Sequence, residues 1–520
     1  MDRPSDRLFP LLLALPLLLL ELASLTAYGY FRDELYYLAS TEHLAFGYVD
    51  HPPLAIWILA AIRAGLGDSL VALRIVPALL GAATIVLVAH LARRMGGGRV
   101  AQTVAALGFS FTAAASIFHF YSMNAWDVFL WVLAFHCLLT ALERSGDPAA
   151  ASGSSPEPLR SWLLLGAVLG LGLLNKISVL WLGVGILAAL LLTRHRRVLK
   201  SPGPWLAGVL ALLLFSPYLI WQTAHGWPTI EFVQNATRLK MVRVGVLDFF
   251  ANQVFTLNPV LAPFWLLGLG ALLFLPGVRR FRLFAWIYLT VAAILIAGGG
   301  SRPVYLLPAY PPLLAAAGLA IERLTERPGG VVGRWAPRAA IAYLVAAAAL
   351  APIAVPLLPP EQFVAFARTL GMMPPAQERM ELAELPQFYA DHFGWPEMVA
   401  EVERVYRELP PEDRARVKVF GQNYGEAGAI DVLGRRRALP GAISGHNSYW
   451  LWGPGEWDGE VLIILGGDLE GNREFFEEVV RAGTVRSRWA IPYENDLPVW
   501  VGRRLKMPVE EAWERVRRFI

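Results

Sequence analysis

The sequence predicts a polytopic α-helical membrane protein that ends in a soluble α/β domain, and three observations support this class. Of the 520 residues, 56% are hydrophobic and only 17% are charged, and a soluble chain of this length would have more charge. Apolar runs of roughly 20 residues, each long enough to cross the hydrocarbon core, recur through the first two-thirds of the chain. After Pro359 the composition becomes charged and amphipathic.

About eleven membrane spans are predicted from these apolar runs. They lie at residues 8–28, 69–92, 100–119, 126–142, 161–174, 176–193, 204–221, 257–277, 283–299, 303–321 and 338–358. The first run has no small-residue cleavage site before Tyr28, so we expect an uncleaved span and not a signal peptide. The two runs on either side of Asn175 and Lys176 are also compatible with one long broken helix.

The basic residues predict the orientation of the spans. Arginine and lysine are concentrated in alternate loops, which the positive-inside rule assigns to the cytoplasm together with the N-terminus. The segments predicted to lie outside are residues 29–68, 120–125, 222–256, 299–303 and everything after about 359. The net charge of the chain is +4, and its basic residues lie mostly in short loops between the apolar runs. This distribution indicates a membrane topology and not nucleic-acid binding. The single cysteine, Cys137, excludes a disulfide framework.

The predicted domains are a transmembrane domain at 1–359, with a large first outer loop at 29–68, and an outer α/β domain at 360–520. Hydrophobic patterns in the second domain predict both helices and strands. The helices are predicted near 376–390, 396–408, 424–433, 471–482 and 508–519, and the strands at 416–420, 461–465 and 498–504.

The first outer loop contains the strongest candidates for chemistry. Asp33 and Glu34 follow the first span directly, where a carboxylate is suited to take a proton from an acceptor hydroxyl. Asp50 and His51 precede two prolines and together suit a divalent cation or a phosphate. Ordinary solvated loop charges are the alternative. The neighbouring aromatic residues, including Tyr37, favour a carbohydrate-binding surface as much as an interfacial aromatic belt.

Cations are few in the predicted outer segments, so each is a candidate ligand for a phosphate. Lys176, Arg238 and Arg302 are the main candidates, and Tyr305 offers a hydroxyl donor. Arg238 is equally suited to anionic lipid headgroups, and Arg302 to snorkelling at a helix end. Lys176 lies between apolar runs, where an unpaired charge is costly, which favours a function for it.

A third group of polar residues is suited to bind a sugar or an acceptor. Asn124 lies at the outer end of a span, and His225 lies in the third large outer loop. His446 and Asn447 follow a glycine-containing turn of the soluble domain. Helix capping by Asn124 and a structural turn role for His446 and Asn447 are the alternatives.

Several motifs recur in an order and spacing that resemble one enzyme family. They are Asp33-Glu34, Asp50-His-Pro-Pro-Leu-x-x-Trp57, Arg74-x-x-Pro-Ala-Leu-Leu-Gly, Asn175-Lys-x-Ser178, Pro217-Tyr-Leu-Ile-Trp221-x-x-x-His225-Gly-Trp227-Pro, Arg302-Pro-Val-Tyr305-Leu-Leu-Pro308-x-Tyr310-Pro-Pro, Asn423-Tyr-Gly-Glu-Ala-Gly and Leu439-Pro-Gly-Ala-Ile-Ser444-Gly-His446-Asn447-Ser-Tyr-Trp. Together they resemble the GT-C membrane glycosyltransferases, with the bacterial relatives of the protein O-mannosyltransferases and of the lipid A aminoarabinose transferases as the most similar branches.

The resemblance implies a function and a place in the cell. It implies inverting transfer of a sugar from a polyprenyl-phosphate donor to a lipid, glycan or protein acceptor, on the periplasmic face of a bacterial inner membrane. On this basis Asp33 is expected to be the catalytic base, with Glu34 positioning it and Asp50 matching the family's second acidic residue.

Two positions depart from the pattern of the aminoarabinose branch. His51 stands where that branch has a phosphate-contacting lysine, and Asn235 stands where it has a histidine paired with its second acidic residue. The need for a divalent metal, for which Asp50 is the candidate ligand, therefore stays open.

Two other functional classes are alternatives to the enzyme. A transporter or flippase of lipid-linked sugars is the first alternative, but such proteins tend to show paired repeats with broken helices and midplane polar residues. Here the polar residues gather in the predicted outer loops. A non-catalytic assembly or sensor protein is the second alternative.

Overall fold

The computed structural model describes residues 4–112, 114–146, 157–299, 302–326, 331–371, 381 and 384–520. The chain forms two compact units. The helical unit consists of Met1–Leu25, Val71–Leu219 and Arg243–Leu357. The mixed unit consists of Thr26–Leu70, Ile220–Val242 and Leu358–Ile520.

The helical unit is built from apolar α-helices. They are Pro4–Ala23, Leu70–Arg94, Arg99–Ser110, Ala114–His119, Met123–Ser145, Glu157–Asn175, Val179–Leu192, Gly203–Ala224, Val246–Leu257, Ala262–Phe274, Leu283–Ala297, Pro311–Glu322 and Val331–Ala347, with short 3-10 helices that include Arg194–Lys200 and Pro303–Ala309. Among the described residues, five helices are long and apolar enough to cross a membrane, and two bent helix pairs raise the number to seven. The chain is a multi-pass helical membrane protein, and the count of eleven stays a prediction.

Two predicted spans are interrupted in the structure. The run 100–119 forms Arg99–Ser110 and Ala114–His119, and Thr112 Oγ1 accepts the backbone N–H of Ala114 at 3.1 Å, as a helix cap does. The run 303–321 begins as a 3-10 helix and becomes an α-helix only at Pro311, because the prolines of this stretch remove backbone donors.

The mixed unit contains one five-stranded sheet of the order β2-β1-β3-β5-β4. The strands are β1 Lys418–Phe420, β2 Ala442–Ile443, β3 Val461–Leu465, β4 Phe476–Val485 and β5 Leu497–Leu505. β2, β1 and β3 are parallel, whereas β5 is antiparallel to both β3 and β4. β3 is buried along its whole length, as expected for a central strand with covered faces.

Some helices of the mixed unit cover the two faces of this sheet, among them Trp395–Glu408 on one face and Val509–Arg515 on the other. The unit has further helices, and the full set among the described residues is as follows. They are Arg32–Ser40, Leu54–Leu66, Pro228–Asn235, Pro360–Leu370, Gln387–Ala390, Trp395–Glu408, Pro411–Arg414, Tyr424–Leu433, Ser448–Trp452, Leu469–Phe475 and Val509–Arg515. Val419 and Ile463 belong to the apolar cluster on one face of the sheet, and Ile464 and Trp500 to the cluster on the other. The predicted α/β character is therefore observed.

Some predicted elements of the soluble part are wrong. The predicted helix 471–482 is a short helix, Leu469–Phe475, followed by β4. The side chains of β4 do not alternate strictly between buried and exposed, so this segment lacks the period of two by which a strand is recognised in a sequence. The predicted loop 29–68 contains two helices, Arg32–Ser40 and Leu54–Leu66. Of the predicted helix 376–390, residues 376–380 and 382–383 lie outside the described residues.

Two helices of the mixed unit approach each other closely and fix the position of the candidate site. A Cβ atom added to Gly428 would lie 2.9 Å from the backbone carbonyl carbon of Leu35. Only glycine permits this approach of helix Tyr424–Leu433 to helix Arg32–Ser40. The first turns of the two helices, with Asp33 and Tyr424, are thereby brought together.

Candidate active site

Asp33 lies in the first turn of helix Arg32–Ser40, where backbone N–H groups favour a carboxylate. The Tyr424 hydroxyl donates a hydrogen bond of 2.9 Å to Asp33 Oδ1. The Asp33 side chain is nevertheless 32% exposed. The Tyr424 hydroxyl thus orients the Asp33 carboxylate, and the exposed part of that carboxylate can still be reached by another hydroxyl.

A second carboxylate, that of Asp50, also accepts a hydrogen bond from a tyrosine hydroxyl. The Tyr36 hydroxyl donates to Asp50 Oδ1 at 2.9 Å, and the rings of Tyr36 and Tyr424 stack with centroids 4.6 Å apart and planes inclined by 25°. Burial raises the pKa of Asp50. Burial also raises the pKa of both phenols, and the adjacent carboxylates raise it further, so both hydroxyls remain donors.

The two carboxylates differ in accessibility. The side chain of Asp50 is 15% exposed, less than half the value for Asp33. Of the pair, Asp33 is the one that an incoming hydroxyl reaches more easily, and we consider Asp50 better placed to support the site.

Glu34, His51 and Tyr37 are buried beside these carboxylates. Glu34 Oε2 accepts the backbone N–H of Phe31 at 2.9 Å and so stabilises the start of the helix that contains Asp33. His51 Nδ1 lies 2.9 Å from the Pro52 carbonyl oxygen, and its Nε2 lies 4.0 Å from Asp50 Oδ1. The ring of Tyr37 packs edge-on against His51 at 5.0 Å.

The donor set near Asp50 is smaller than that of a typical catalytic metal centre. Among the described residues, no group of three or more His, Cys, Asp or Glu side chains is placed to hold a metal ion. Asp50 and His51 provide two donors, fewer than the three protein ligands usual in a catalytic zinc site. Asn235 stands where the aminoarabinose branch has a histidine, and its amide N–H donates to the Phe519 carbonyl oxygen at 2.9 Å.

A buried arginine beside Asp33 was missed in the sequence. Arg32 donates to the Tyr493 hydroxyl at 2.8 Å, lies 3.4 Å from Asp391 and stands over the ring of Tyr424 at 5.6 Å. Its guanidinium is also 3.9 Å from Asp33 Oδ1. Asp391, Tyr424 and Tyr493 lie some 360 to 460 positions from Arg32 along the chain, so no local pattern indicated them.

The two candidates in the turn of the soluble part, His446 and Asn447, are tied to the last residues of the chain. The backbone N–H of Tyr424 donates to His446 Nδ1 at 3.1 Å, and His446 Nε2 donates to Ile520 O at 2.9 Å. Burial lowers the pKa of His446 to about 3, so the ring is neutral. Asn447 Oδ1 accepts the backbone N–H of Ile520 at 3.0 Å. These contacts agree with the structural alternative more than with sugar binding.

His225 and Arg238 are both exposed. The imidazole of His225 stacks on Trp221 with centroids 4.2 Å apart. Arg238 forms no ion pair with any carboxylate of the described residues. The structure does not bring Arg238 together with Asp33, whereas His225 lines a pocket of the mixed unit.

In the helical unit, Lys176 lies in the break between helices Glu157–Asn175 and Val179–Leu192. Its ammonium donates to Asn124 Oδ1 at 2.7 Å and lies 3.4 Å from Asp127 Oδ2. Ser178 Oγ donates to the carboxylate of Asp127, at 3.3 Å to Oδ2. An ammonium has three donors, so one of them is available to an anion after these two contacts.

Tyr305 lies against the same lysine. The Lys176 ammonium stands 5.0 Å from the centre of the Tyr305 ring. Arg302 precedes the 3-10 helix Pro303–Ala309 that contains Tyr305. Three residues predicted to bind the donor or acceptor, namely Lys176, Asn124 and Tyr305, are therefore neighbours. Capping of helix Met123–Ser145 is performed by Ser122 and not by Asn124.

A buried pair of carboxyl groups lies next to Arg32 in the mixed unit and has consequences for stability. One amide, Asn423 Nδ2, donates to Glu426 Oε1 at 2.7 Å and to Glu494 Oε1 at 2.9 Å. Burial raises the pKa of Glu494 to about 7, and burial and the neighbouring Glu494 raise the pKa of Glu426. The native state therefore binds more protons than the unfolded state between about pH 4.5 and 7.

We expect the stability of the protein to fall as the pH rises through that window. The slope is up to about 1.4 kcal/mol per pH unit for each proton released. Glu494→Gln, which cannot ionise, should flatten the slope and raise the melting temperature at pH 8, as measured by thermal unfolding from pH 4.5 to 8. The control is Glu470→Gln at an exposed position. A slope unchanged by Glu494→Gln would contradict the expectation.

Residues 50–221 match the family model described as dolichyl-phosphate-mannose-protein mannosyltransferase. A curated relative, the lipid A galacturonosyltransferase RgtD of Rhizobium johnstonii, is 23% identical over 239 residues. The aligned region covers 45% of this chain and 48% of the relative, so the chain matches about half of that protein.

Two solved structures share the fold. ArnT from Cupriavidus metallidurans bound to undecaprenyl phosphate matches with a TM-score of 0.55 and 14% identity, over 95% of this chain and 97% of that one. The oligosaccharyltransferase AglB of Archaeoglobus fulgidus, in complex with an inhibitory peptide and a dolichol-phosphate, matches with a TM-score of 0.51 and 12% identity, over 88% and 69%. The family match over residues 50–221 and the shared fold confirm the resemblance to the GT-C membrane glycosyltransferases that the sequence shows.

Proposed function

We propose that the protein transfers a sugar from a polyprenyl-phosphate donor to an acceptor, with inversion at the anomeric carbon. The observation that most supports this is the environment of the Asp33 carboxylate. This carboxylate is partly exposed and accepts a hydrogen bond from Tyr424, and it lies near Asp50, whose carboxylate accepts a hydrogen bond from Tyr36. A base with this accessibility suits proton abstraction from a hydroxyl.

In the proposed reaction the acceptor oxygen attacks the anomeric carbon while the bond between that carbon and the phosphate oxygen breaks. The acceptor proton passes to Asp33, and the polyprenyl phosphate leaves with the bonding electrons. Tyr424 and Tyr36 hold the two carboxylates in place, and Glu34 positions Asp33 through the start of the helix.

The residues around Lys176 suit the phosphate of the donor. An ammonium held by Asn124 and Asp127 is fixed in direction, so it loses little freedom when it binds an anion. Charge on the departing phosphate is stabilised by such a fixed donor. Tyr305, against the lysine, offers a hydroxyl to the same anion. Undecaprenyl phosphate and dolichol-phosphate, bound by the relatives of the same fold, have this phosphate in common.

The proposed location is a bacterial inner membrane, with about eleven spans and with 360–520 in the periplasm. One observation supports the orientation. Thr26–Leu70, Ile220–Val242 and Leu358–Ile520 pack into one unit although apolar helices separate them in sequence. Segments that pack together lie on the same side of the membrane, as the distribution of basic residues predicts for all three. The domain boundary near 359 stays a proposal.

The proposal is tested with purified protein in vesicles that contain defined undecaprenyl-phosphate sugars and candidate lipid, glycan and peptide acceptors. We expect a glycosylated acceptor and free undecaprenyl phosphate in equal amounts. Movement of the donor across the bilayer without either product would instead favour the transporter.

Tyr424→Phe is expected to lower the transfer rate while the protein stays folded. The variant keeps the stacked ring but removes the hydroxyl that orients Asp33. Loss of one hydrogen bond to a charged group is worth about 1.5–3 kcal/mol, or roughly 10- to 150-fold. The measurement is the rate of transfer as a function of pH at saturating donor.

A matched control for this variant is Tyr449→Phe, since Tyr449 donates to a different carboxylate, Asp431, at 2.7 Å. Tyr424→Phe should lower the rate at saturating donor, whereas Tyr449→Phe should not. Equal effects of the two substitutions would assign Tyr424 a purely structural role.

A further inference from the structure

A pocket of about 280 Å³ in the mixed unit lies beside the candidate active site. Its volume is near the lower end of those typical of small-molecule sites, roughly 300–1,000 Å³. The lining residues that matter for its chemistry are His43, Tyr48, Trp221, His225, Ser448 and Trp452. All of them belong to the mixed unit.

Two stacked pairs of rings line this pocket. His43 stacks on Trp452 with centroids 4.3 Å apart and planes inclined by 10°, and His225 stacks on Trp221 at 4.2 Å and 22°. Each pair joins a flat indole to an imidazole with polar nitrogens. Such surfaces suit a ligand that presents both C–H groups and hydroxyls.

The imidazoles provide acceptors at the edge of the pocket. His225 Nδ1 donates to the Trp221 carbonyl at 2.8 Å, so in the neutral ring Nε2 is an acceptor. Burial lowers the pKa of His43, which favours the neutral form of that ring. Both imidazoles are exposed at the edge of the pocket, and an acyl chain would make only apolar contacts with their rings and use none of these acceptors. A ligand with hydroxyl groups would satisfy them.

The pocket is also connected to the carboxylates. The ring of Tyr48 lies 4.9 Å from the ring of His51. Ser448 Oγ accepts the backbone N–H of Val49 at 3.1 Å, and the backbone N–H of Ser448 lies 3.4 Å from the Tyr36 hydroxyl that donates to Asp50. A ligand held here would therefore lie next to the residues that flank Asp50.

We infer that this pocket binds a pyranose ring of the acceptor, so that the acceptor is a saccharide or a molecule with a saccharide head group. The inference rests on the proposed function and makes the acceptor class specific. The pyranose C–H groups contact the aromatic rings, whose faces are electron-rich. Its hydroxyls donate to the nitrogens of His43 and His225.

The test is a direct binding measurement that does not depend on transfer. Saturation-transfer NMR is recorded on the full-length Asp33→Asn protein in detergent, with the methyl glycosides of glucosamine, galactose, mannose and galacturonic acid and with their disaccharides. At least one sugar should show saturation of its ring C–H protons, and titration gives its Kd. Trp452→Ala in the same background should weaken the binding by about three- to tenfold.

His225→Ala is the second variant, because His225 is exposed and its loss perturbs the fold least. Trp489→Ala, a partly exposed tryptophan that does not line the pocket, is the matched control and should leave the Kd unchanged. The inference is overturned if no sugar is saturated, or if all three variants bind equally. Quenching of Trp452 fluorescence by brominated phospholipid, with no effect of sugar, would identify a lipid occupant and overturn it as well.

The experiments distinguish a failure of the saccharide-binding inference from a failure of the proposed transfer reaction. A protein that transfers sugar to a peptide or simple lipid but binds no free saccharide would contradict only the inference. A protein that binds saccharides in this pocket but releases no undecaprenyl phosphate would contradict only the proposed reaction.

Discussion

Replacement of Asp33 by Asn is expected to lower the rate of sugar transfer by about 10²–10⁴-fold, the usual contribution of a general base. The amide keeps the shape of the side chain and can still accept the hydroxyl of Tyr424. It cannot take a proton from the acceptor. The loss should therefore appear in kcat with little change in donor binding, measured as release of polyprenyl phosphate and as acceptor product.

The control for this variant is Asp68→Asn in the same unit. Asp68 is exposed and paired with Arg63 Nε at 2.6 Å, and such surface pairs contribute at most about 1 kcal/mol to stability. Asp68→Asn should therefore retain transfer. If Asp33→Asn kept full activity, Asp33 would not be the base, and Asp50 would be the next residue to test.

The sequence was sufficient for those features that follow from local patterns. Helix Tyr424–Leu433 and strand β3 were predicted at their observed bounds, because Asn423 caps the helix and β3 is a short, fully apolar run. The apolar runs likewise predicted a multi-pass protein, because membrane spans have a fixed minimum length.

Features that depend on contacts between distant segments were not predictable in the same way. Asp33 was singled out by its place after the first span, but its hydrogen-bond partner Tyr424 is 391 positions away. Strand β2 has only two residues and exists because it pairs with β1. The sequence predicts a helix over much of β4, because pairing with β5, and not the local sequence, decides the conformation of this segment.

The second large effect is expected from Lys176→Met in the helical unit. The substitution removes the charge-assisted hydrogen bond that we propose to the donor phosphate, worth about 1.5–3 kcal/mol, so the Kd for undecaprenyl phosphate should rise by roughly 10- to 150-fold. It also leaves the buried Asp127 without its cation. Removal of one partner from a buried ion pair costs about 3–5 kcal/mol of stability.

The double variant Lys176→Met/Asp127→Asn separates these two effects. With the carboxylate neutralised, the stability lost in the single variant should largely return, because no unpaired charge remains buried. The weak binding of undecaprenyl phosphate should persist, because the ammonium is still absent. If the double variant recovered donor affinity together with stability, Lys176 would serve only as the partner of Asp127. If it recovered stability alone, the lysine would be a ligand of the donor phosphate, held in place by Asn124 and Asp127.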